Sequence, residues 1–236
     1  MPTRTAVVIG VGPGLGMSIA HRFGREGYAV ALVSRSDARH AAYVSALAEE
    51  GIRAEAHVAD VHDRDQLLST LDRIGPVDVL YHGPGAADVD ARPKPIVETT
   101  ADEVRRTMAD VYAAIDVVNG VLPGMLERGT GGLLFAGGLS AVQPIPFLGA
   151  LAVTSAALRN YVLTLNAGLA DTGVYAGNLI IGGLVERGDI HQLVASQPEK
   201  FGGVPPETLN PDEIAETAWE LYAKRDRAEA VFSVFG

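Results

Sequence analysis

The sequence predicts one α/β domain with a doubly wound, mainly parallel sheet and helices on both faces. Three observations carry that expectation. Short, β-branched and nearly all-apolar runs alternate with longer amphipathic stretches along the chain, as expected of strands buried on both faces and joined by crossover helices. The amphipathic stretches begin and end on capping residues, with glycine as the recurrent stop. The 236 residues, 47% hydrophobic and 20% charged, suit one large core in residues 1–236 better than two small ones.

Residues 5–10, Thr-Ala-Val-Val-Ile-Gly, are apolar almost throughout and predict a buried first strand. A helix follows over 15–26, closed by Gly27. Residues 29–34 are the second strand, and 37–50 a helix stopped by Gly51. A shorter strand spans 54–58, and a helix spans 63–74 before Gly75-Pro76. The fourth strand is 77–81. A loop rich in Gly, Pro and Asp reaches about residue 98. One long helix is predicted over 100–128, opened by Thr100-Ala-Asp-Glu103, where hydroxyl and carboxylate satisfy orphan amides reciprocally. Residues 133–136 are the fifth strand, and 149–171, mostly Ala, Leu and Val, a largely buried helix. The sixth strand is 175–181. Residues 182–209 are the least regular and are a candidate substrate lid. Asn210-Pro211-Asp-Glu213 starts a helix that runs to 224, with Pro at its first position. Residues 230–234 form a short last strand.

Composition narrows the function. The net charge of −10 argues against nucleic acid or anionic membrane as a partner. No apolar run long enough to span a bilayer is expected, and the start of the chain does not read as a signal peptide. There is no cysteine, which excludes disulfides, a thiol nucleophile and a Cys-ligated zinc, and makes a cytoplasmic location the simplest reading. His21, His40, His57, His62, His82 and His191 show no metal-ligand spacing, so no metal site is expected. No G-x-S-x-G nucleophile elbow occurs. Asp63, Asp65 and Asp72 fall on a surface helix and read as solvated.

The strongest motif is Gly10-Val-Gly12-Pro-Gly14-Leu-Gly16, between the first strand and the first helix. A sharp strand-to-helix turn needs residues that tolerate positive φ. A pyrophosphate needs backbone amides with no Cβ in the way, and gains from the positive end of the helix. Inside an N-terminal β-α-β unit, this turn predicts a Rossmann-type dinucleotide site.

Gly10, Gly14 and Gly16 form G-x-x-x-G-x-G, and from here the chain resembles the short-chain dehydrogenase/reductase family over nearly its full length. Asp60-Val61 matches the family's adenine-contacting Asp. His82-Gly83-Pro84-Gly85 falls at the Asn-Asn-Ala-Gly segment, and Asn178 with Gly182-Gly183 at the Asn-x-x-x-Pro-Gly segment. Leu122-Pro123 and residues 131–136 match as well. The resemblance implies cofactor contacts from Gly10, Gly12, Gly14, Leu15, Gly16, Ser34, Arg35, Asp60, Val61, Gly83, Gly85, Gly182 and Gly183. The second strand ends Val33-Ser34-Arg35-Ser36, with no acid before Asp37 to accept from the ribose hydroxyls of NAD. Arg35 is suited to a charge-assisted pair with a 2′-phosphate. NADP(H) is therefore favoured over NAD(H).

The family's chemistry uses a Tyr acid/base, a Lys four residues later, a Ser and an Asn. Lysine occurs only at Lys94, Lys200 and Lys224, none of them four residues after a tyrosine. In the family register, Leu151 takes the Tyr position, Ser155 the Lys position, Gly138 the Ser position and Asp110 the Asn position. The tetrad is degenerate, and leucine cannot donate a proton. Asp110, Ser140 and Ser155 are the candidate catalytic residues, with Tyr112 and His82 near the same sheet edge. Each has a plainer reading: Asp110 bonding backbone amides, Ser140 capping a turn, Tyr112 packing between helices, His82 satisfying a loop. The Gly-, Pro- and Leu-rich stretch from 138 to 151 would line an apolar pocket.

Three functions follow. The first is an NADP(H)-dependent oxidoreductase acting on a small apolar carbonyl, imine or activated alkene. The second is a non-redox cyclase or isomerase on the same scaffold. The third is a catalytically inactive nucleotide-binding subunit. The resemblance also implies a homodimer or homotetramer, paired through the helices at 100–128 and 149–171.

Overall fold

The computed structural model describes residues 4–84, 93–197, 199 and 207–235. The chain runs β1 (Thr5–Ile9), α1 (Leu15–Arg25), β2 (Ala29–Ser34), α2 (His40–Glu49), β3 (Ala54–Val58), α3 (Arg64–Ile74) and β4 (Val79–His82). After the loop come α4 (Ala101–Thr107), α5 (Ala109–Arg128), β5 (Gly131–Gly138), α6 (Gly149–Gly168) and β6 (Val174–Gly182). Then follow β7 (Leu184–Val185), α7 (Asp189–Ser196), β8 (Thr208–Leu209), α8 (Pro211–Lys224) and β9 (Glu229–Ser233). Seven strands form one sheet in the order β3-β2-β1-β4-β5-β6-β9, every neighbouring pair parallel. The order reverses between β1 and β4, which opens a crevice at their C-terminal ends.

Side chains alternate across the strands and build two cores. Val7, Ile9, Leu80, Leu133 and Phe135 face α3, α5 and α6. Val8, Leu32, Tyr81, Leu134 and Leu179 face α1, α2 and α8. The ends of the strands therefore stand on a rigid floor, and the chemistry collects above them.

Several expectations need correction. The predicted helix over 100–128 is two helices that meet at Met108, whose carbonyl accepts from the amides of Val111 and Tyr112. Thr107 is tied across to Thr154 of α6 by a 2.7 Å hydrogen bond, a constraint that the unbroken apolar periodicity does not show. The capping box at Thr100 and Glu103 forms as expected. Asp63 is not merely solvated: it caps α3, accepting from the amide of Gln66. β5 is longer at both ends than predicted, because its four glycines carry strand pairing that β propensity does not signal. Against the expectation of no bilayer-length run, the stretches Ala101–Arg128 and Pro146–Gly168 are long and apolar enough by length and composition alone. In this fold they serve as sheet-covering helices, α5 against α3 and β5, and α6 against β5 and β6; α6 is not the largely buried helix expected, since of its residues only Gly149, Ala150, Thr154, Leu158 and Val162 are buried.

Candidate functional site

A cleft of about 590 Å³ opens at the C-terminal ends of the strands around the reversal of strand order. Its floor is the glycine turn. Gly10 sits at φ +85°, and a Cβ there would collide with the backbone of Pro84 and Gly83, across the β1–β4 junction. A Cβ on Gly16 would stand 2.8 Å from Cα of Val11, and one on Gly14 3.0 Å from the backbone of Glu186 and Gly188. α1 starts from Gly14 with no side-chain cap and no acid in its first turn. Bare amides and the positive helix end thus serve the cleft, the combination that suits a pyrophosphate. The residues present fit a dinucleotide.

Of the expected cofactor contacts, Gly10, Gly12, Gly14, Leu15, Gly16, Ser34, Arg35, Val61, Gly83 and Gly183 line this cleft. Asp60 and Gly182 lie outside its lining. The Asp60 carboxylate accepts from the His62 amide at 3.0 Å, and the Leu139 side chain closes over Gly182. Gly85 falls outside the described residues. Sequence reasoning missed Arg39, His62, Asp189 and His191, which also line the cleft. Arg39, four residues beyond Arg35 at the start of α2, carried a local signal. Asp189 falls in the 182–209 segment read as a candidate lid, but nothing local singled it out, since only the tertiary fold brings α7 over the turn.

Asp110 is paired with an imidazole rather than with backbone amides: its Oδ1 lies 2.8 Å from Nε2 of His62. Both residues line the cleft. Ser140 sits in the short 3₁₀ turn Leu139–Ala141 after β5. Its Oγ is buried and makes no hydrogen bond among the described residues, so it does not cap the turn. A Cβ built on Gly138 would lie 3.1 Å from Oγ of Ser155 and 3.6 Å from Oγ of Ser140. The structure therefore brings both hydroxyls together around Gly138, but neither serine lines the cleft, and no residue of the stretch 138–151 expected to line an apolar pocket does. Tyr112 does not belong with them; it is exposed on α5. His82 closes β4 rather than a loop and is buried against Phe135. Among the described residues neither ring nitrogen has a hydrogen-bond partner, and burial, with His62 nearby, pushes its pKa down to about 4.

Residues 4–197 match the family model described as short chain dehydrogenase. The chain belongs to the short-chain dehydrogenase family. It is 29% identical over 184 residues to a short chain dehydrogenase of Pseudocercospora fijiensis, a match covering 72% of this chain and 56% of that protein. It is 25% identical over 218 residues to the ketoacyl reductase HetN of Nostoc, covering 87% of this chain and 72% of HetN. Among solved structures, the alcohol dehydrogenase from the archaeon Thermococcus sibiricus complexed with 5-hydroxy-NADP superposes with a TM-score of 0.76 at 25% identity, over 99% of this chain and 98% of that one. In this chain, Leu151 lies in the first turn of α6 and is partly exposed, one turn before Ser155.

Proposed function

We propose that the chain is an NADP(H)-dependent oxidoreductase that acts on a small apolar carbonyl, imine or activated alkene without a Tyr-x-x-x-Lys pair. The observation that carries this reading is the glycine cradle, walled by Ser34 and Arg35, with the Ser140 and Ser155 hydroxyls grouped around Gly138 at the end of β5. The names of the relatives, a ketoacyl reductase and an alcohol dehydrogenase complexed with an NADP derivative, support the same class. The cofactor, when bound, supplies or accepts the hydride. The turn amides hold its pyrophosphate, and Arg35 its 2′-phosphate. Asp110 fixes His62 at the cleft wall. Ser140 and Ser155 orient the substrate's polar atom, and an imine or activated alkene best tolerates the lack of a strong acid.

The absence of a Tyr-x-x-x-Lys pair favours a second reading, a pocket-shaped non-redox cyclase or isomerase or an inactive nucleotide-binding subunit. Titration of the purified protein with NADPH and NADH, followed by a substrate panel, separates them. Preferential NADPH binding with substrate-dependent oxidation supports the first reading. Cofactor binding without turnover supports the inactive subunit, and binding of neither removes the cofactor assignment. We also propose a homodimer or homotetramer, because Leu126 of α5 and Leu151 and Val153 of α6 leave apolar surface exposed. The lack of cysteine fits a cytoplasmic location.

A further inference from the structure

One ion pair crosses the mouth of the cleft. Arg39 is the N-cap residue of α2 on the β2 side, and Asp189 is the first residue of α7, 150 positions away in sequence. Nη1 of Arg39 lies 2.9 Å from each carboxylate oxygen of Asp189. The same carboxylate stands 4.0 Å from the Cβ position of Gly12, within the anion-binding turn. Beside it, the backbone of Glu186 and Gly188 rests on Gly14. An internal anion is thus held between a cation of the adenosine wall and the glycine turn. Both side chains are about half exposed, and such pairs are weak enough to be displaced. A phosphate dianion with three acceptor oxygens is a stronger partner for a guanidinium than a single carboxylate. Asp189, once released, keeps a favourable place in the first turn of α7.

We infer that Asp189 competes with the cofactor's 2′-phosphate for Arg39. The pair sets the balance between 2′-phosphorylated and unphosphorylated adenine dinucleotides, and ties phosphate binding to release of α7 from the cleft. The inference rests on the cofactor reading above and adds a residue that opposes binding.

The test uses the full chain, its Asp189→Asn and Arg39→Gln variants and the double variant. Each is titrated calorimetrically with adenosine 2′,5′-bisphosphate, adenosine 5′-monophosphate, NADPH and NADH. Asp65→Asn, at a carboxylate 97% exposed on α3, controls for the change in net charge. Asp189→Asn is expected to tighten bisphosphate and NADPH binding by about two- to fivefold, the scale of an exposed ion pair, and to change monophosphate and NADH by less than about twofold. Arg39→Gln weakens the bisphosphate and removes the gain from Asp189→Asn, so the two effects are not additive. Amide exchange over 189–196 quickens with the bisphosphate and not with the monophosphate. Equal gains for both ligands, the same gain from Asp65→Asn, or a loss from Asp189→Asn would overturn the inference. If the unmodified protein binds both dinucleotides and Asp189→Asn changes neither, competition alone fails. If it binds neither, the cofactor reading falls with it.

Discussion

Gly10→Ala tests the junction on which the cleft is built. Gly10 and Gly27 share φ +85°, but a Cβ on Gly27 meets nothing within 4 Å, whereas one on Gly10 runs into the backbone of Pro84 and Gly83. The dihedral alone costs an alanine about 1–2 kcal/mol at either position. The collision at Gly10 adds about 1–3 kcal/mol, because strand-end backbone yields less readily than a side-chain tip. Gly27→Ala is therefore expected to lose about 1–2 kcal/mol and Gly10→Ala about 2–5 kcal/mol. At about 2–4 °C per kcal/mol for a domain of this size, Tm falls by about 2–8 °C and about 4–20 °C respectively. Urea unfolding with a common m-value gives the two losses, and NADPH titration gives the second readout. Affinity should collapse in Gly10→Ala and survive in Gly27→Ala. Equal destabilisation of the two variants would refute the close approach of the β1 and β4 ends. Unchanged NADPH binding by a folded Gly10→Ala would refute the role of the turn.

His82 gives a pH signature. Its pKa is about 4 folded and about 6.5 unfolded, so the stability from keeping it neutral is complete above about pH 6.5. That stability is lost as pH falls toward 4, by about 3 kcal/mol at 1.36 kcal/mol per unit. His82→Phe should flatten the urea midpoint between pH 7 and 4, and an unchanged slope would exclude His82 as its source. Ser140→Ala removes a buried hydroxyl without a partner among the described residues and should leave stability unchanged or raise it by up to about 1 kcal/mol. Its kcat/KM should fall at least tenfold on any substrate found, and equal turnover would exclude the hydroxyl from the site. Arg35→Gln should weaken NADPH about 10- to 100-fold, the worth of one charge-assisted contact, and NADH by less than about threefold. Equal losses would place Arg35 elsewhere than at the 2′-phosphate. Light scattering tests the oligomer, and a mass of 24.7 kDa would refute it.

What could be read in the sequence was local. The glycine turn is seven consecutive residues with a strand before it and a helix after it, so its geometry follows from its own spacing. The absence of Tyr-x-x-x-Lys is a matter of counting lysines. The break at Met108 was not legible, because apolar periodicity continues through it and part of its constraint lies 47 residues away, in the bond between Thr107 and Thr154. Asp110 was found by register, but its partner His62 is 48 residues distant, in the turn between β3 and α3. Arg39 and Asp189 meet across 150 residues. Each of these pairs depends on which loop ends the strand order brings to one edge, and hydrophobic pattern decides the order without naming the loops.

The same distinction bears on where substrate chemistry belongs. A buried polar atom without a partner costs about 1–3 kcal/mol, so the orphaned atoms mark places where the fold alone does not account for the residue. His82 and Asn178 are two such residues, on either side of Phe135 in the strand register. Both are buried, and neither lines the cleft. Ser140 is another; it does not line the cleft either, but it stands beside Gly138, whose missing side chain leaves a gap shared with the Ser155 hydroxyl. Restoring a side chain there discriminates between use and accident. Gly138→Ala would place a methyl 3.1 Å from the Ser155 Oγ, tight enough to shift one hydroxyl while leaving the glycine turn untouched. NADPH affinity should hold and turnover should fall. If NADPH affinity falls in step with turnover, the two serines belong to the cofactor site and not to the substrate's.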